Sequence, residues 1–133
     1  MNEQQESVAK QCLKSAYEGT MDFPDIVGAL IAAGFEGYSV DYQRGIAVYY
    51  LPSGESLELS LPQDDTGVAI NFDQPAIQAA IREAQSGQSG YSYKGFCRNM
   101  KAAGCANYIV SFPGRRVLYI GRTAETHVEL FPS

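Results

Sequence analysis

The segment THVEL, Thr126 to Leu130, sets the chain's only histidine, His127, two positions from a glutamate, Glu129. If the segment is extended, alternation turns both side chains to one side of the strand and Val128 and Leu130 to the other. An imidazole near a carboxylate, with Tyr119 or Ile120 on the adjoining strand and Arg122 close in sequence, is material for acid–base chemistry. The plainer use of the pair is a half-exposed strand histidine in an ion pair. Three cysteines, Cys12, Cys97 and Cys105, are the other candidates for nucleophilic work. Their odd number, with no CxxC and no zinc spacing, fits reduced thiols better than a disulfide or metal framework. A catalytic thiol would have only His127 as its base.

The remaining chemistry-bearing residues are thinner. Asp64 and Asp65 are adjacent in a loop and can hold a hard cation weakly, although a solvated turn explains them more simply. Arg115, Arg116 and Arg122 form the one basic cluster, suited to a small anion or to a solvated turn. No phosphate loop, dinucleotide fingerprint, HExxH, GxSxG or EF-hand loop is present, so no cofactor and no metal are expected. The net charge of -5 and the small number of basic residues, 10, exclude nucleic acid as a partner on electrostatic grounds. No apolar stretch approaches the ~20 residues of a membrane span, and the first residues lack the pattern of a signal peptide, so the expected location is cytoplasmic.

The largest compositional signal is aromatic: 9 tyrosines and no tryptophan. Most fall in strand-like segments, among them Tyr38, Tyr42, Tyr49, Tyr50, Tyr108 and Tyr119. Packing alone favours aromatics in strands. The segments IAVYYL and RVLYI, however, are apolar on both faces, so the side of a sheet away from its helices needs a cover. A second copy, a ligand or a groove can supply it.

These residues are positioned by a pattern written twice. An amphipathic helix spans about Gln5 to Ala16. Asp22 then caps a second helix that Gly34 stops. Tyr38–Tyr42, Ile46–Leu51 and Leu57–Leu61 read as a three-stranded antiparallel meander. After the loop from Pro62 to Gly67, Asp73 caps a third helix, and the stretch from Gln85 to Gly90 ends it. Ser92 caps a fourth helix that Gly104 stops, and strands follow at Tyr108–Phe112, Arg116–Ile120 and Thr126–Leu130. Ala32, Ala33, Gly34, Tyr38, Val40 and Tyr49 recur without a gap as Ala102, Ala103, Gly104, Tyr108, Val110 and Tyr119. A one-residue insertion in the last hairpin then aligns Glu58-Leu59 with Glu129-Leu130 and sets Ser56 against His127. Under the ungapped part, Cys97 replaces Val27 and Cys105 replaces Phe35, which marks those thiols as core fillers. The expectation is an α+β fold: a two-layer sandwich of four helices on a mainly antiparallel six-stranded sheet, continuous or split. It forms a single domain, residues 1–133, from two repeats of about 5–61 and 73–130 that bury one another's apolar surfaces.

The stretches GFCRNMKAAGCANYIVSFPGRRVLYIGRTAETHVELFP, FPDIVGALIAAGFEGYSVDY and YYLPSGES resemble a family of short bacterial and prophage proteins known as a domain of unknown function. Its members often carry the label "phage envelope protein". The resemblance runs from about Phe23 to Pro132. It implies no activity and no site residues.

The expected function is therefore a non-enzymatic module that binds a small molecule or a protein through the aromatic face of its sheet, with Tyr49, Tyr119, Arg122 and His127 as ligand-binding residues, and homodimerises through the sheet. One alternative is a small acid–base enzyme using His127 with Glu129. The other is the structural phage or envelope role that the family label implies.

Overall fold

The structure is a computed structural model that describes residues 1–86 and 90–132. Residues 87–89, in the stretch expected to end the third helix, lie outside the described residues.

Helix α1, Glu3–Glu18, starts two residues before the expected boundary because Asn2 and Gln5 form a reciprocal capping box. It ends at Gly19, whose positive φ of 77° is the left-handed conformation glycine accepts without strain. Helix α2, Phe23–Ala32, is capped by Asp22, with Pro24 in its first turn. Strands β1 (Gly37–Asp41), β2 (Ile46–Tyr50) and β3 (Ser56–Ser60) follow. Helices α3 (Gln74–Gln85) and α4 (Tyr93–Ala102) are capped by Asp73 and Ser92, and β4 (Cys105–Ser111), β5 (Arg116–Gly121) and β6 (Thr126–Leu130) complete the chain. Four helices and one antiparallel sheet make an α+β fold, and the sheet is continuous, in the order β3-β2-β1-β4-β5-β6.

The two three-stranded meanders meet at β1 and β4. Tyr38 pairs with Val110, Ser39 with Ile109 and Val40 with Tyr108. Exchanging Tyr38 for Tyr108 and Val40 for Val110 maps this register onto itself, about a centre between Ser39 and Ile109. The bonds that flank the pairing obey the same exchange, Tyr42 N–H donating to Ala106 at 2.8 Å and Phe112 N–H to Glu36 at 3.0 Å.

The hairpins correct the expected alignment. In the first half, Leu51 N–H donates to Glu55 at 2.9 Å and Gly54 N–H to Leu51 at 3.0 Å. In the second, Gly121 N–H donates to Glu125 at 2.8 Å and Ala124 N–H to Gly121 at 3.0 Å. The loops have equal length, and no insertion is present. Tyr49 pairs with Leu57 as Tyr119 pairs with His127. His127 and Glu129 therefore stand where the first half has Leu57 and Leu59, not Ser56 and Glu58. The resemblance of Glu58-Leu59 to Glu129-Leu130 had suggested a gap that strand register excludes.

The register also fixes the faces. Tyr38, Val40, Tyr49, Tyr108, Val110 and Tyr119 point to the helices and are buried in one core with Leu30, Ile77 and Met100. The opposite face carries the apolar residues that the sequence left uncovered, with Tyr50, Ile109, Val128 and Leu130 all exposed. No helix among the described residues is long and apolar enough to cross a membrane.

Candidate functional site

The core is not filled. A cavity of about 540 Å³ lies between the helices and the sheet. Its floor is the inward row of the four central strands, where Tyr38 stacks on Tyr49 at 5.4 Å between ring centroids and Tyr108 leans on Tyr119 at 5.6 Å. Its roof comes from Cys12, Leu13 and Ala16 of α1, Ile81 and Ala84 of α3, and Tyr93 and Phe96 of α4. Ala16 and Ala84 are small, and they leave the space over the rings unfilled. The exposed residues Asp22, Phe23 and Tyr91 form its rim.

The polar groups of this chamber are mostly phenols, joined by Asp22, Gln85, Ser92 and Glu129. The hydroxyls of Tyr93 and Tyr108 hydrogen-bond each other. Those of Tyr49 and Tyr119 have no hydrogen-bond partner among the described residues and remain available. Burial holds Tyr38, Tyr93 and Tyr108 in the neutral form well past their ordinary range. Tyr119 is shifted the same way, by burial first and by the nearby Cys105 and Glu129 after it. Tyr91, near the rim, is pushed up to about 12, chiefly by burial. At neutral pH these rings are donors and π-faces, not bases.

Glu129 is the one carboxylate on the inward sheet row that lines the cavity. Behind it, His127 Nε2 lies 3.3 Å from Glu129 Oε1 and His127 Nδ1 lies 3.2 Å from the Gln74 amide nitrogen. With the amide placed this way its nitrogen can only donate, so Nδ1 accepts and Nε2 carries the proton shared with Glu129. The imidazole is only 9% exposed rather than half-exposed, and stacks on Tyr119 at 6.3 Å. Glu129 Oε2 has no partner among the described residues.

Of the sequence candidates, Tyr49 and Tyr119 line the cavity, and His127 reaches it only through Glu129. The aromatic face is the one against the helices, so Tyr49 and Tyr119 do not belong to the exposed face expected to meet a second copy. Arg122 is turned away: its Nη1 donates to the Val68 carbonyl at 3.1 Å. The basic cluster is dispersed further, with Arg116 Nε on the Gly114 carbonyl and Arg115 over the Phe131 ring. Asp64 is held by Lys101 at 3.0 Å, and that bond together with the Thr66 N–H holds its carboxyl below the usual carboxylate range. Among the described residues, no group of three or more His, Cys, Asp or Glu is placed to hold a metal ion.

All three cysteines are buried and unpaired. Burial pushes each thiol up, Cys105 to about 12, which leaves them protonated and poor nucleophiles. The sequence reading missed Gln74, Tyr93 and Phe96. The last two stand where the first half has Phe23 and Ile26, and that ungapped alignment was the available signal; Gln74 carried none.

The chain belongs to the family described as "Protein of unknown function (DUF1398)", which it matches over residues 10–128. No curated protein matches it.

Proposed function

We propose, from membership of a family without an assigned activity, that the protein is a non-enzymatic module binding a small, largely apolar molecule between its helices and its sheet. The cavity carries this reading. At about 540 Å³ it falls within the range of small-molecule sites, and it has the composition of one: aromatic walls with a few convergent polar groups. Tyr49 and Tyr119 contribute apolar ring surface and free hydroxyls. His127 holds Glu129 in place, and Arg122 plays no part. Residues 1–133 act as a single domain of two repeats, about 5–61 and 73–130, whose shared register supports this division.

Titration with the neutral dye Nile red tests the reading. Saturable, one-to-one uptake with a blue-shifted emission is expected, and Ala16→Phe, which fills the roof, should abolish it. A dye that does not bind, or that binds the variant equally, would overturn the reading. An acid–base enzyme using His127 with Glu129 has less support, because both imidazole nitrogens are already engaged within the protein.

The exposed face suits a homodimer. On it Val48, Ile109, Leu118 and Val128 share one cross-strand row with Ser39 and Glu58, and a second copy packed there would cover the apolar members. A mass that rises with concentration and falls in Ile109→Lys is the expected result. Three unpaired thiols support a cytoplasmic location. A phage or envelope role rests on the family label, and co-purification with particles would test it.

A further inference from the structure

We infer that the ligand of this cavity is an organic cation: a flat or globular apolar body carrying an ammonium or similar positive charge, whose charge is met by Glu129 and the tyrosine ring faces. The inference rests on the binding reading above and adds the ligand's charge.

Three observations converge. The cavity lining includes two carboxylates, Asp22 at the N-cap of α2 and Glu129 on β6, and no lysine or arginine. Glu129 lines the cavity with its side chain 34% exposed and is held through Oε1 alone, so the accepting capacity of Oε2 is unspent among the described residues. The floor is built of tyrosine rings, Tyr38 with Tyr49 and Tyr108 with Tyr119, and an aromatic quadrupole favours a cation over an anion wherever a ligand meets a ring face.

These features act in the same direction. A cation entering the chamber exchanges water for a carboxylate oxygen and ring faces. A neutral ligand leaves Oε2 desolvated without a partner, which costs free energy. An anion meets two like charges and the negative faces of the rings. Arg115 lies over the lining residue Phe131 at 5.7 Å but does not itself line the cavity. The placement of Glu129 is also specific to the second half: its counterpart Leu59 is apolar, so nothing in the packing of the strand requires a charge there.

The test uses two ions of one shape and opposite charge, tetraphenylphosphonium and tetraphenylborate, with Nile red as the neutral probe, titrated calorimetrically into the full chain. The phosphonium should bind at least about tenfold more tightly than the borate, a difference of ~1.4 kcal/mol. Glu129→Gln should remove most of that difference while Nile red binds at least as tightly as before, because the neutral probe no longer desolvates a charge; retained uptake also reports that the cavity survives the substitution. Glu58→Gln, which removes an equal charge from the exposed face, should leave the preference unchanged and so separates the site from the protein's overall negative field. Equal or tighter binding of the borate overturns the inference, as does a phosphonium affinity indifferent to Glu129→Gln. Nile red binding without phosphonium binding overturns the cation preference alone. Refusal of all three probes overturns the cavity reading along with it.

Discussion

Strands β3 and β6 occupy matching edges of the sheet, yet they turn different chemistry toward the helices. The first presents Leu57 and Leu59, and the second presents His127 and Glu129. Their strand pairing is alike: the hairpins have the same hydrogen bonds, and each inward pair lies beside a tyrosine, Tyr49 or Tyr119. The leucines show what the position needs for packing. The polar pair in the second copy is therefore an addition to the packing requirement, and the cavity gives it a place to act.

The floor shared by both halves supplies the largest expected effect. Burial raises the tyrosines above their ordinary value of 10.0 on both sides of the sheet, Tyr38 and Tyr49 in one half and Tyr108 and Tyr119 in the other. The native state then holds these protons more tightly than the unfolded chain. Stability is fully present below about pH 10 and falls as pH rises above it. Alkaline titration followed at the tyrosinate absorbance should show these four buried rings ionising in one abrupt step together with loss of secondary structure. Gradual ionisation of single rings in a folded protein would break the equivalence of the halves.

Gly34 and Gly104 sharpen the comparison next. Both have positive φ, +98° and +92°, so alanine is strained at either. A Cβ at Gly34 would come no closer than 3.4 Å to the flexible end of Gln5, whereas at Gly104 it would lie 2.1 Å from the backbone oxygen of Asn71. Chemical denaturation should find Gly34→Ala destabilised by about 1 kcal/mol and Gly104→Ala by at least ~3 kcal/mol. Similar losses at the two sites would refute the crossing of residues 71–73 over the second copy.

Exchanging the edge residues probes the polar pair itself. Leu57→His with Leu59→Glu inserts polar groups without the Gln74 partner and should cost about 2–3 kcal/mol in a denaturant melt. The reverse exchange, His127→Leu with Glu129→Leu, removes a partly buried polar pair from a site that its counterpart fills with leucines. A gain of about 1 kcal/mol is expected, with loss of phosphonium binding. Marked destabilisation would mean that the pair serves the fold.

Much of the architecture was legible because helix caps and glycine stops are local. Asp22, Asp73 and Ser92 cap the expected helices, and the strands alternate as read. The hairpin alignment was misread because Glu58-Leu59 and Glu129-Leu130 look alike as words, while register is set by turn length and cross-strand bonds. Gly121 shows the same limit. It replaces Leu51, and the space is taken by Phe72 from the loop before α3, close enough that a Cβ on Gly121 would meet the ring at 2.5 Å. Such a compensation joins residues distant in sequence. The cavity escaped notice for a related reason: tyrosines in strands signal burial, and only the spacing between layers decides whether they pack against side chains or enclose a space.

The most direct test of the account is a map of where a bound small molecule perturbs the protein, read by NMR on aromatic and methyl resonances during a Nile red titration. The account predicts shifts at Tyr49, Tyr119 and Ile81 around the chamber, with Ile109 and Val128 on the exposed face unmoved. Shifts confined to Ile109 and Val128, with the chamber silent, would contradict it.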